Sequence, residues 1–170
     1  EATQRAVGRA SRITDAIELA AANPWIYAGV ARDAVAISER AAVFEIAARL
    51  HLPEPQVRGM VSVVRTARAD LPALWAVACK GFAAFAYVEG AVAAIVALRP
   101  APGADQATTD ASTDAIATFD AKVAEVASAL SLTAFRARVR RLVEQLAALL
   151  GVDAASRRHA IAMTERRVIV

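Results

Sequence analysis

Eight arginines lie within the last forty residues of the chain, accompanied by only three acidic residues. Residues 131–170 carry a net charge of +5 (8 basic minus 3 acidic), and residues 1–130 carry −2 (12 minus 14). Guanidinium groups bind phosphate well, and several such contacts give salt-sensitive binding to nucleic acid. We therefore expect nucleic acid, DNA in the first instance, as a partner. The expected phosphate contacts are Arg136, Arg140, Arg141, Arg157, Arg158, Arg166 and Arg167, with Arg138 beside them.

Two plainer explanations of these arginines stay open. The chain is rich in alanine and arginine and contains only two lysines, a bias that a GC-rich genome also produces. The arginines near residue 140 could equally form a solvated helix face that is partly paired with Glu144.

A helix-turn-helix pattern covers residues 46–62. Apolar residues bracket a tight turn, and a small alanine in the first helix would let the two helices cross closely. The second helix would then present Arg58, Ser62 and Arg65, with Thr66, to a DNA groove. Two residues argue against this interpretation. His51 stands where such turns usually have glycine, and the negative charge of Glu54 would lie unfavourably close to a DNA phosphate. Two amphipathic helices joined by a short turn also occur in any helical bundle.

The residue types needed for catalysis are scarce. The chain has two histidines, His51 and His159, and one cysteine, Cys79, and they form no metal-ligand spacing, phosphate loop or nucleophile motif. We expect no catalytic site, metal or cofactor in this chain. A lone cysteine fits a reducing cytoplasm, and its apolar neighbours predict that it is a small buried core residue. Charges and glycines interrupt the most apolar stretch, residues 71–98, so no membrane span is expected.

The elements that must position these residues are helices. Forty-five alanines and few glycines or prolines predict an all-α fold. Apolar periodicity and Pro, Asn and Gly stop signals predict a multi-helix bundle of about eight helices, which includes the helix-turn-helix-like pair. The predicted helices are 2–22, 32–50, 55–69, 73–79, 82–98, 110–130, 133–150 and an eighth from 153 to 163 or 165. The β-branched residues 167–170 predict the start of a strand.

The chain is expected to be one helical accessory domain over residues 1–170. Its one clear linker, residues 99–109, would separate sub-bundles 1–98 and 110–170. The seventh helix has an apolar stripe from Phe135 to Leu149, and the pattern predicts that Arg136 and Arg140 lie opposite this stripe. Four aromatic residues could stack on bases, but their apolar neighbours favour core packing. They are Trp25, Tyr27, Trp75 and Tyr87.

The order of several short motifs resembles a known family. The first half contains Ala47-Ala48-Arg49-Leu50-His51-Leu52-Pro53, then Ala67-Arg68-Ala69-Asp70-Leu71-Pro72-Ala73-Leu74 and Ala78-Cys79-Lys80-Gly81-Phe82. The second half contains Ser131-Leu132-Thr133-Ala134-Phe135-Arg136, Arg157-Arg158 and Arg166-Arg167-Val168-Ile169-Val170. This order resembles the 13E12 repeat family, also called domain of unknown function 222, over residues 40–170.

The resemblance implies a helical accessory domain in actinobacteria or their phages, typically placed ahead of an HNH endonuclease domain. That nuclease domain, with its metal site, would lie after Val170, and the parent protein would be cytoplasmic. The resemblance and the arginines together favour a non-catalytic DNA-binding or DNA-positioning role. The alternative is a protein-interaction or dimerisation scaffold that regulates the nuclease. It would use an exposed apolar patch, which the pattern places on the fifth helix at Phe82, Phe85, Val88 and Val92.

Overall fold

The fold is helical throughout the part of the chain that the computed structural model describes, residues 2–29 and 31–151. Within these residues there are seven α-helices and two short 3₁₀ helices and no strand. The α-helices are α1 (Ala2–Ala22), α2 (Ala34–Leu50), α3 (Glu54–Asp70), α4 (Pro72–Cys79), α5 (Phe85–Ile95), α6 (Gln106–Ala127) and α7 (Leu132–Leu149). The all-α prediction is confirmed. The predicted eighth helix and C-terminal strand lie outside the described residues.

Two helix starts differ from the sequence prediction by three or more residues. Helix α6 begins at Gln106 rather than 110, because the Asp105 side chain accepts a hydrogen bond from the Thr108 N–H at 2.8 Å and caps the helix. Helix α5 begins at Phe85 rather than 82. The preceding chain turns at Gly81, whose φ of +85° suits glycine, and the Phe82 N–H closes the end of α4 by donating to the Val77 carbonyl.

The chain divides into two compact units, residues 1–66 and 67–170. The boundary falls inside α3, and the expected linker, residues 99–109, lies within the second unit. The core of the first unit is built by α1, α2 and the first part of α3. Its fully or largely buried members are Ile13, Ile17, Ala20, Ala42, Val43, Ala47, Val57 and Val61.

The second unit packs α4, α5, α6 and α7 against one another. Phe119 and Val123 on α6 and Phe135 and Leu142 on α7 are almost completely buried. The Tyr87 ring lies 4.7 Å from the Phe135 ring, centroid to centroid. Its hydroxyl donates to the Leu130 carbonyl at 2.8 Å, which attaches α5 to the connection between α6 and α7.

Candidate nucleic-acid interface

Helix α7 presents four arginines to solvent. The helix begins where the Ser131 hydroxyl accepts a hydrogen bond from the Ala134 N–H, a normal N-cap. Its buried side chains are Phe135, Val139, Leu142, Val143, Leu146 and Ala147. Because that face is held in the core, the remaining positions must face water. The exposed arginines are Arg136, Arg138, Arg140 and Arg141.

These arginines have no acidic partner in the part of the chain that the structure describes. No carboxylate of residues 2–29 or 31–151 lies within ion-pair distance of any of them. Glu144 is exposed one turn after Arg140, yet it forms no ion pair with the α7 arginines. Their guanidinium groups therefore keep their donors available for an external anion.

The arginines do not lie where the predicted stripe placed them. Leu149, assigned to the apolar stripe, is 83% exposed, whereas Val143 and Ala147 are buried. The buried face is thus rotated toward Arg136 and Arg140, and the prediction that these two lie opposite it was wrong. They border an open groove of about 300 Å³ between α5 and α7, in which α5 contributes Gly90, Ala93 and Ala94. The small α5 residues leave this groove open beside the guanidinium groups.

The helix-turn-helix candidate corresponds to α2, the turn at residues 51–53 and α3. His51 ends α2 with φ 52° and ψ 43°, in the left-handed region where glycine is usual. The Leu52 N–H donates to the Ala47 carbonyl at 2.9 Å, and the His51 N–H donates to the Ala48 carbonyl at 3.3 Å. A histidine therefore forms the turn in which the sequence pattern favours glycine.

The predicted groove-reading residues lie on one exposed face of α3, but their charges are engaged. Arg58, Ser62 and Arg65 are exposed, and Thr66 is half-buried. Arg58 pairs with Glu54 on the preceding turn. Arg65 pairs with Glu39 of α2 at 2.8 Å and with Glu18 of α1 at 3.3 Å.

These residues line a groove of about 420 Å³ between α2 and α3. The hydrogen bond to Glu39 is the main reason that the pKa of the Arg65 guanidinium is raised. Binding phosphate here would require Arg58 and Arg65 to give up carboxylate partners, so this groove is a weaker anion site than α7.

The predicted contacts fall in different units of the chain. Arg58, Ser62 and Arg65 belong to the first unit, and Arg136, Arg140 and Arg141 belong to the second. The remaining predicted contacts, Arg157, Arg158, Arg166 and Arg167, lie outside the described residues.

No protein-family model, curated protein or solved structure matches this chain. The resemblance to the 13E12 repeat family stays a prediction.

A second group of arginines was missed at the level of sequence. Arg5, Arg9 and Arg12 on α1 and Arg49 on α2 line an open groove of about 640 Å³. The signal was present in the spacing of the α1 arginines, i, i+4 and i+7, which places them on one helix face. The net negative charge of residues 1–130 concealed it, because a sum over a segment does not show which faces carry the charges.

Several apolar side chains in the first unit are unexpectedly exposed. Trp25 is 66% and Tyr27 41% exposed, so the prediction that they pack in the core was wrong.

The other two aromatic residues belong to the second unit. Trp75 and Tyr87 are half-buried, and Arg68 lies 5.8 Å from the Trp75 ring centroid. Phe82, which precedes α5, is 64% exposed, but Val88 on α5 is buried. The predicted patch on the fifth helix therefore does not form as a continuous surface.

The remaining chemistry-bearing residues form no cluster in the described part of the chain. No group of three His, Cys, Asp or Glu side chains among residues 2–29 and 31–151 could hold a metal ion. Cys79 is exposed rather than buried, because it follows the buried Ala78 at the end of α4. Partial desolvation raises the pKa of its thiol. Within the described residues, no helix has both the length and the apolar character needed to cross a bilayer.

Proposed function

We propose that this chain is a non-catalytic nucleic-acid-binding domain that positions DNA for an HNH endonuclease-like protein. The observation that carries the proposal is the exposed set of α7 arginines, Arg136, Arg138, Arg140 and Arg141, none of which is paired with a carboxylate of the described residues. Exposed ion pairs are weak, about 0–1 kcal/mol, but arginines already paired must still exchange partners before they bind phosphate. The α7 arginines meet no such cost.

The guanidinium chemistry of these side chains suits a phosphate partner. A guanidinium group offers a planar fork of donors that matches two phosphate oxygens, whereas an ammonium group acts as a point charge. Arg136 and Arg140 are one helical turn apart beside the α5–α7 groove, and Arg138 and Arg141 are three residues apart further round the helix. Such contacts would be to the backbone and would carry no sequence information by themselves.

The test is the salt dependence of binding to a labelled duplex DNA by the full 170-residue chain. The logarithm of affinity should fall linearly with the logarithm of salt concentration, with a slope of about −0.9 per neutralised phosphate. The variant R136A/R140A should flatten this slope by roughly 2 units. The matched control R32A/R99A removes the same charge outside α7 and outside the three arginine-lined grooves, and should leave the slope unchanged.

The proposal also predicts that the arginine pairs outside the described residues contribute to the salt dependence of DNA binding. R157A/R158A should flatten the slope by roughly 1–2 units, and R166A/R167A is the equivalent change at the second pair. Undetectable binding at low salt, or a slope that none of the α7 substitutions alters, would contradict a nucleic-acid role. Parallel titrations with single-stranded DNA and with RNA identify the preferred nucleic acid.

The second candidate function, an interaction or dimerisation scaffold, is favoured by the exposed apolar residues of the first unit. They are Leu19, Trp25, Ile26, Val35, Ile37 and Phe44, each more than 40% exposed. Ile37 and Phe44 are seven residues apart on α2, so they share one helix face. A stable homodimer would need to bury about 1,000 Å² or more. Light scattering separates the two functions: a dimer that I37E/F44E dissociates, combined with no DNA affinity, favours the scaffold.

A further inference from the structure

The groove between the first half of α1 and the last turns of α2 combines an apolar floor with a rim of arginines. Ile13 is buried at its base, and Ala16, Ile46 and Leu50 continue the apolar lining. The rim arginines, Arg5, Arg9, Arg12 and Arg49, are all exposed. The groove volume of about 640 Å³ is large enough to receive side chains of a partner.

We propose that this groove binds an acidic amphipathic helix of a protein partner. Arg5 and Ala16 are 11 residues apart on α1, which corresponds to about 16 Å at 1.5 Å per residue, or about three helical turns. A partner helix of that length would place apolar side chains at i, i+3 or i+4, and i+7 onto the floor. Its flanking Asp or Glu side chains would face the guanidinium groups on the rim.

Charge complementarity selects this partner. Arg9 and Arg12 form no ion pair with any residue among 2–29 and 31–151. Arg49 donates to Glu45 at 2.7 Å, and the other Glu45 oxygen accepts from the Tyr27 hydroxyl at 2.6 Å. The α1 rim therefore supplies the positive charge that an incoming carboxylate meets first, while Arg49 is held in place on the opposite rim.

The groove between α1 and α2, at about 640 Å³, is larger and has a more apolar lining than the α5–α7 groove of about 300 Å³, which Phe135, Val139 and Val143 also line. A nucleic-acid backbone would satisfy the arginines, but its phosphates and sugars would gain nothing from Ile13, Ile46 and Leu50. On α7 the arginines stand at the edge of a helix whose large apolar residues, apart from Leu149, are largely buried. Burial of apolar surface together with charge pairing is the recognition mode of helix-in-groove binding. The inference is therefore independent of the proposed DNA-binding function.

The experiment uses the full 170-residue chain and three labelled helical peptides of equal length, followed by fluorescence anisotropy. The first peptide has a leucine stripe flanked by glutamates, the second replaces the glutamates with lysines, and the third replaces the leucines with alanines. We expect the first peptide to bind at least about tenfold more tightly than either of the others, which corresponds to about 1.4 kcal/mol.

Variants of the chain locate the binding. Arg9→Glu and Arg12→Glu should each weaken binding of the acidic peptide severalfold, and the double variant about tenfold or more. The control Arg32→Glu makes the same charge change elsewhere in the first unit and should have no effect beyond a small salt-sensitive one. Ala16→Gln fills the floor with a polar side chain, adds no charge that could pair with Arg12, and should also weaken binding. Circular dichroism of each variant checks that the helices are retained.

Three outcomes would overturn the proposal. These are no binding of the acidic peptide, equal binding of the lysine peptide, or complete displacement of the acidic peptide by duplex DNA. If DNA displaces the peptide and R136A/R140A still flattens the salt dependence of DNA binding, the groove is a second nucleic-acid surface. Failure of the DNA-binding test alone leaves the peptide result unaffected, because the two experiments use different residues and different ligands.

Discussion

The Asp120 carboxylate of α6 accepts a hydrogen bond from the backbone N–H of Leu74 at 2.9 Å, and so caps a different helix, α4. Its second oxygen accepts from the Ala73 N–H at 2.7 Å. Helix α4 has no capping side chain of its own, because Leu71 occupies its N-cap position and Pro72 its first turn. Two of the N–H groups that a helix start leaves without a partner inside the helix are therefore satisfied from 46 or 47 residues away.

We predict that Asp120→Ala destabilises the chain by about 1–3 kcal/mol, because buried N–H groups lose their acceptor. Urea unfolding followed by circular dichroism measures this change. Asp114→Ala, on the same helix but exposed, is the matched control and should change the free energy of unfolding by no more than about 0.5 kcal/mol. Equal effects of the two substitutions would show that the cap contributes little.

We predict that His51→Gly stabilises the chain by about 1 kcal/mol, because residues with a Cβ are strained in the left-handed conformation that His51 adopts at the end of α2. Glycine adopts this conformation freely. His51→Ala keeps the Cβ and should give no such gain. The comparison of urea midpoints for the three proteins is the measurement, and a more stable alanine variant would be inconsistent with this backbone argument.

Arg65 is predicted to act on stability rather than on DNA binding. It joins Glu39 and Glu18, and all three side chains are more than a third exposed, so we expect a coupling below about 1 kcal/mol with Glu39 in a double-mutant cycle. The coupling should weaken as salt is added. Arg65→Ala should leave the salt slope of DNA binding unchanged. A flatter slope would instead show that α3 contacts the nucleic acid.

The pKa of Asp105 is predicted to lie below its ordinary value, because the Thr108 side chain and backbone N–H donate hydrogen bonds to its carboxylate. An NMR titration of the carboxyl carbon measures it. Thr108→Ala should raise the pKa part of the way back, since the backbone donor remains. An unchanged pKa in that variant would assign the whole effect to the backbone.

The same cap gives a pH dependence whose sign follows from the lowered pKa of Asp105. Its contribution to stability is present above the pKa of Asp105 in the unfolded chain and is lost as pH falls through the lower pKa of the folded state. Asp105→Asn retains a capping oxygen but does not titrate. Any stability advantage of the unsubstituted chain over this variant should therefore shrink as the solution is acidified. Thermal unfolding of both proteins at several pH values measures the difference, and a pH-independent difference would contradict the prediction.

Helix identity and most helix ends could be predicted from the sequence, because the signals are local. Asn23-Pro24 ends α1, Leu71-Pro72 separates α3 from α4, and apolar periodicity marks α6 and α7. The start of α6 was missed although Asp105 and Thr108 are a local capping pair. The exposure of four α7 arginines also followed from periodicity alone.

The pairing of charges was decided only by the tertiary structure. Arg65 meets Glu18 and Glu39 from 47 and 26 residues away, so no short-range pattern could show that its charge is engaged. The spacing of the α1 arginines shows locally that they share a helix face, but only the packing of α1 against α2 places this face beside an apolar floor. Local periodicity fixes which face of a helix is polar, whereas the partners of that face depend on which helices fold against it.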